Sequence, residues 1–141
     1  MPVTGGTITT LATFNVTNGA YPSGGLVVIG TTLYGTTQIG GSSNDGTVFS
    51  VPVNGGTPTT VASFNGSNGT DPQSNLTIIG NTLYGTTTGG GAYGDGTVFS
   101  LSIQAAPEPS IWALLLGGLG LLAFWHQRTV AHASESGFNS P

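Results

Sequence analysis

Residues 1–50 and 51–100 lie over one another without a gap, and 30 of the 50 aligned positions are identical. A fixed period of this length marks a repeat architecture, in which each copy is one supersecondary unit that buries its apolar face against a neighbour. The most strongly shared words are Leu33-Tyr34-Gly35-Thr36-Thr37 and Asp45-Gly46-Thr47-Val48-Phe49-Ser50. They return as Leu83-Tyr84-Gly85-Thr86-Thr87 and Asp95-Gly96-Thr97-Val98-Phe99-Ser100. Whatever this chain builds, it builds twice with the same turns. The period sets the organisation: two tandem repeats over residues 1–104 (1–50 and 51–103), then a stretch of different character.

Each copy reads as four short strands. Thr7–Phe14 and Thr57–Phe64 are rich in β-branched residues and are bounded by Gly and Asn, with Pro58 tolerable only at an edge or a first position. Loops of Asn, Gly, Ser and Pro follow. Leu26–Ile29 and Leu76–Ile79 are short continuous apolar runs, which predicts strands buried on both faces. Gly30-Thr31 and Gly80-Asn81 predict two-residue hairpin loops, because glycine supplies the positive φ they need. Thr32–Thr37 and Thr82–Thr87 are the next strands. After the Asp45-Gly46 and Asp95-Gly96 turns, Phe99, Leu101 and Ile103 alternate with Val98, Ser100 and Ser102, the period of a strand with one buried face.

Four strands in about 50 residues is the spacing of a propeller blade. The fold class expected is therefore all-β, an antiparallel propeller-like repeat of two four-stranded blade-like units. In the first blade Leu26–Ile29 is innermost, then Thr32–Thr37, Thr47–Val53 and, outermost, Thr57–Phe64. Thr7–Phe14 is left as an orphan outermost strand, able to close a ring by pairing with the last blade. Two blades are fewer than the roughly four to eight of known propellers. The expectation is thus a piece of a longer array, an oligomerising propeller, or a small sandwich.

Charge limits the partners. Charged residues make up only 4% of the chain, and residues 1–127 contain neither Lys nor Arg. Nucleic-acid binding, which needs several cations to neutralise phosphates, is excluded. Without cysteine there is no disulfide framework and no thiolate metal site. Met1–Gly6 has no basic start and no apolar run, so no secretory signal peptide is visible in this chain.

Candidate chemistry within the repeats is sparse. The Asp-Gly pairs read as turns rather than calcium ligands, since calcium wants about six to eight oxygens. The glycine runs at Gly40-Gly41 and Gly89-Gly90-Gly91 lack the Lys and helix of a phosphate loop. The repeats hold no His, Glu, Cys or Lys, so a Ser or Thr nucleophile has no base, and no catalytic residue, metal or cofactor is expected. Tyr34 and Tyr84, with Tyr93 nearby, are the possible ligand contacts: rings that stack on sugars, the competing reading being core packing.

Beyond the repeats, residues 105–110 form a Pro-Glu-Pro spacer. Residues 111–125, IWALLLGGLGLLAFW, form an uninterrupted apolar run predicted as one C-terminal hydrophobic α-helix, and residues 126–141 are a polar tail. At ~1.5 Å per residue the run covers about 22 Å against a hydrocarbon core of ~30 Å. It has no polar face, and Trp112 and Trp125 stand at its ends where interfacial aromatics belong. The predicted anchor comprises Ile111, Trp112, Leu114, Leu115, Leu116, Leu119, Leu121, Leu122, Phe124 and Trp125, with Arg128 on the cytoplasmic side.

Two resemblances follow from these words. Pro107, Glu108, Pro109 and Ser110, the apolar helix and the basic end resemble the PEP-CTERM sorting signal of Gram-negative bacteria. That resemblance implies processing by an exosortase, a transpeptidase-like membrane enzyme that cleaves near Pro-Glu-Pro and releases or re-anchors the protein. The repeats, through Leu-Tyr-Gly-Thr-Thr, the glycine run and Asp-Gly-Thr-Val-Phe, resemble the GloVer-type tandem repeats of choice-of-anchor bacterial surface proteins. What this implies is a non-enzymatic β-repeat protein of the cell envelope or extracellular matrix, anchored in membrane lipid by its C-terminal helix before processing and then at the surface or secreted. Its expected partners are an exosortase-type enzyme, exopolysaccharide and further copies of itself. A surface carbohydrate-binding β-repeat module is the alternative, and a hydrolase on a propeller scaffold a third.

Overall fold

The computed structural model describes residue 2 and residues 4–104. Seven strands form two antiparallel sheets. The first has the order β1 (Val27–Ile29), β2 (Thr32–Thr37), β3 (Thr47–Pro52), β4 (Thr59–Ser63), and the second has the order β5 (Thr77–Ile79), β6 (Thr82–Thr87), β7 (Thr97–Ser102). Strands follow one another as neighbours, in the succession predicted for the first copy, and the chain is all-β in this region. The C-terminal helix expected over residues 111–125 lies outside the described residues. Among the described residues no helix is long and apolar enough to cross a membrane.

The shared turn words set the register. Ile29 pairs with Thr32 and Ile79 with Thr82, closing two-residue loops in which Gly30 and Gly80 both take φ +60°. A left-handed first loop residue is what matches the right-handed twist of a hairpin. Gly35 pairs with Phe49, and Gly85 with Phe99. A Cβ at Gly35 would lie 2.7 Å from Phe49 Cζ, and one at Gly85 2.6 Å from Phe99 Cζ. The glycine of Leu-Tyr-Gly-Thr-Thr is therefore the seat of the phenylalanine of Asp-Gly-Thr-Val-Phe.

Three expectations are corrected. Thr7–Phe14 forms no strand; it is tied to the repeats by the Gly56 amide donating to the Leu11 carbonyl at 3.0 Å and by the Phe14 ring on Phe49. The near-identical Thr59–Ser63 is a strand because the free edge of β3 lies beside it, whereas no edge lies beside Thr7–Phe14 among the described residues. The second sheet accordingly has three strands there rather than four. The innermost strands are shorter than the apolar runs and are covered on one face only: Val27 and Ile29 pack inward while Val28 is exposed. Pro58 falls just before β4, where its missing N–H costs no ladder bond.

The two sheets stack like with unlike. Tyr34, Val48, Val27, Ile29 and Ala62 share one face of the first sheet by register. In the second sheet Leu83, Phe99, Leu101 and Ile78 share the opposite-parity face. These two faces meet around Phe64 and Leu76 in one apolar core, with Leu83 fully buried. The first sheet is thus covered where the second is open: Val48 is 1% exposed, and its counterpart Val98 is 80% exposed.

Candidate functional site

The polar side chains that recur in both copies hold turns. Asn15 and Asn18 clamp each other reciprocally, each side-chain oxygen accepting the other's backbone N–H at 3.0 and 3.1 Å; Asn65 and Asn68 repeat the clamp at 2.9 and 3.2 Å. The Thr37 hydroxyl donates to the Ile39 carbonyl at 3.0 Å, so it accepts in its 2.7 Å contact with Thr47. Thr87 donates likewise to Gly89 at 2.9 Å and lies 2.9 Å from Thr97. Such cross-strand hydroxyl pairs let Thr37 and Thr47 sit fully buried at the strand ends, while in the second pair Thr87 is buried and Thr97 half-buried.

Asp71 is a functional group that sequence reasoning passed over. It replaces Tyr21 of the first copy, and both sit at φ +55°. Its Oδ2 accepts from Gln73 Nε2 at 2.9 Å and from Thr88 Oγ1 at 3.2 Å, while its N–H donates to the Asp45 carbonyl at 3.0 Å. Its Oδ1 is buried without a partner. A carboxylate entering an almost chargeless repeat was the signal available. The arrangement latches the loop before β5 to the turn before β3. Among the described residues no group of three or more His, Cys, Asp or Glu gathers to hold a metal ion.

The tyrosines separate. Tyr34 is buried in the core between the sheets, which is its core-packing reading and not the ligand-contact one, because the second sheet covers its face. Tyr84, at the equivalent position, is 37% exposed on the open face of the second sheet. Tyr93 is 93% exposed in the loop between β6 and β7. The two aromatic pairs among the described residues, Phe14–Phe49 and Phe64–Phe99, include no tyrosine. Pro107, Glu108, Pro109 and Ser110, the anchor from Ile111 to Trp125, and Arg128 lie outside the described residues.

An exposed apolar surface remains on the second sheet. Ile79, Tyr84 and Val98 are exposed on one face of the second sheet, whereas Ile29, Tyr34 and Val48, their counterparts, are packed beneath the neighbouring sheet. Beside them the outer edge of β7 carries no ladder among the described residues. At the seam between the repeats Gly25 donates its N–H to Asn75 Oδ1 at 2.7 Å, joining equivalent positions of the two copies. A cavity of about 170 Å³ runs beside Val48, Ala62, Phe64 and Phe99.

No curated protein and no solved structure matches the chain. The family model described as the Gloeobacter/Verrucomicrobia repeat matches residues 1–110, which takes in both copies and the whole Pro-Glu-Pro spacer. With that match spanning most of its length, the chain belongs to the Gloeobacter/Verrucomicrobia repeat family.

Proposed function

We propose that this chain is a non-enzymatic scaffold of the bacterial cell envelope or extracellular matrix, its two sheets being successive blades of a propeller-like array and its tail a PEP-CTERM sorting signal. The observation that carries the scaffold reading is the use of the recurring polar groups. Asn15, Asn18, Thr37 and Thr47, and their counterparts fifty residues on, are spent on the protein's own backbone and on one another. Recurring side chains that serve the repeat's own turns in this way suit a surface rather than a reaction centre.

In this reading an exosortase recognises Pro107-Glu108-Pro109-Ser110 while Ile111–Trp125 sits in lipid and Arg128 stays on the cytoplasmic side. Proline disfavours the helical conformation in the residue before it, which suits a sequence read by a processing enzyme. Expressing the full chain in paired strains with and without an exosortase tests this. Cleavage near Pro107 in the first strain, and retention of the intact chain in membranes in the second, are expected. An intact C-terminus in both strains, or unchanged membrane partitioning after deletion of residues 107–128, overturns the sorting role.

Tyr93 supports a second reading, exopolysaccharide binding, because its ring is almost wholly free for stacking. Pull-down on the host's own polysaccharide, lost in Tyr93→Ala and kept in Tyr93→Trp, is the expected outcome; no retention of the intact protein sinks it.

A further inference from the structure

We propose that the open face of the second sheet and the edge of β7 dock a second copy of this chain head to tail, with residues 9–13 of that copy added to β7 as its fourth strand. The inference rests on reading the two sheets as successive blades and is independent of the tail.

Both halves of the contact already occur once, joined, inside the chain. β4 lies on β3 with Thr47 opposite Ser63, Val48 opposite Ala62, Phe49 opposite Thr60 and Ser50 opposite Thr59. Thr97-Val98-Phe99-Ser100 repeats the β3 word without change, and Thr9-Thr10-Leu11-Ala12-Thr13 repeats Thr59-Thr60-Val61-Ala62-Ser63 with two conservative exchanges. Translating the register by one period sets Thr97 against Thr13, Val98 against Ala12, Phe99 against Thr10 and Ser100 against Thr9. Leu11 takes the place of Val61, the residue that the irregularity between Val48 and Phe49 leaves unpaired. The donor and acceptor are therefore a pair whose fit the first sheet displays.

The residue after the donor segment fixes the direction. Phe64 ends the run that pairs with the first sheet yet packs on Phe99 of the second. Phe14 packs on Phe49 in the same way, with ring centroids 4.8 Å apart at 74°, against 5.0 Å and 73° for Phe64 and Phe99. With Phe14 seated on its own first sheet, residues 9–13 are presented to a sheet stacked on that sheet's outer side. Those residues make no ladder among the described residues, and Ile8 and Leu11 are exposed.

The faces agree with the edge. The existing seam sets Ile29, Tyr34 and Val48 against Leu83, Phe99 and Leu101. The outer face of the first sheet carries Leu33, Phe49 and Val51, of which Phe49 and Val51 are already buried within one copy, and the second sheet's open face offers the exposed Ile79, Tyr84 and Val98, the same two sets. Burying that face removes an exposed apolar patch of the kind that marks an interaction site. One bond is missing from the new seam: Gly25 stands where Asn75 caps the existing one, so the intermolecular contact is the weaker of the two. Because donor and acceptor are different surfaces, the contact is heterologous and propagates into a ring or a filament.

The cysteine-free chain permits a direct test. Directly opposed antiparallel residues have Cα atoms about 4.5–5.5 Å apart, within disulfide range. Full-length Thr9→Cys and Ser100→Cys proteins, kept dispersed in mild detergent, are mixed and oxidised, beside an intrachain control carrying Ser50→Cys with Thr59→Cys. The expected result is a disulfide-linked heterodimer in the mixture, lost when Val98→Asp is added to the Ser100→Cys partner. A closed control disulfide without any heterodimer overturns the docking and leaves the blade reading standing. Failure of both disulfides overturns both. A heterodimer that persists with Val98→Asp overturns the register and face proposed here.

Discussion

Phe64 stands edge-on to Phe99, ring centroids 5.0 Å apart at 73°, although the strand that leads to Phe64 is hydrogen-bonded into the other sheet. One turn of chain thus serves two layers: Thr59–Ser63 extends the first sheet and the next residue fills the second. Edge-to-face aromatic pairs add about 0.5–1.5 kcal/mol beyond the area they bury, and this one also fixes how the repeats stack.

Phe64→Ala is expected to cost about 3–5 kcal/mol, the range for deleting a buried aromatic side chain. Phe14 makes the same contact with Phe49 but is only half-buried. Its alanine variant is therefore expected to cost clearly less in the dilute monomer. Urea unfolding of the two variants checks this, and equal losses would contradict the place given to Phe64 between the layers.

Gly85→Ala forces a Cβ against the Phe99 ring and is expected to cost about 1–3 kcal/mol as overpacking. Adding Phe99→Leu removes the colliding ring atoms, so the double variant should lose less than the sum of the two single changes. Gly80→Ala meets no neighbouring atom but sits at φ +60°. Its cost, roughly 1–2 kcal/mol, comes from backbone strain alone, and Phe99→Leu should leave it unchanged. A double-mutant cycle by denaturant unfolding separates the two cases.

Val48 and Val98 occupy the same repeat position in opposite environments. Val48→Ala should lower stability by about 1.5–3 kcal/mol through lost burial and a small cavity. Val98→Ala should stay within about 0.5 kcal/mol in dilute solution. Thermal unfolding at two protein concentrations reads the comparison.

Asn68→Ala removes one half of the reciprocal clamp and leaves the Asn65 N–H without its acceptor. An expected loss of about 0.5–1.5 kcal/mol follows, as for a single hydrogen bond. Amide exchange should rise at Asn65 and its neighbours and stay unchanged in the Asn15–Asn18 turn.

Local chemistry made much of this legible. The hairpins at Gly30 and Gly80 needed only a positive φ, and the alternation from Phe99 to Ile103 needed only a period of two. Both stand as read. Thr7–Phe14 shows where reading stops, since its pattern and that of Thr57–Phe64 are nearly one pattern, and only the second finds a strand edge. Tyr34 and Tyr84 share their flanking words, yet burial of the ring depends on whether another sheet lies over it. Asp71 was visible as a charge without a counterpart in the first copy but not as a latch, because Thr88 and the Asp45 carbonyl meet it only through the fold.

The hand-over at Phe64 has a consequence for how such chains change over evolutionary time. The stretch that forms one complete sheet, from Val27 to Ser63, straddles the boundary at which the sequence period restarts. A duplication or loss of one whole period therefore never joins unmatched partners, since every junction is the same pairing of a strand with its predecessor's sheet. Repeat number can drift through unequal crossing-over without a compensating substitution. A gain or loss of half a period, by contrast, strands a phenylalanine from its ring partner and breaks the contact between the layers.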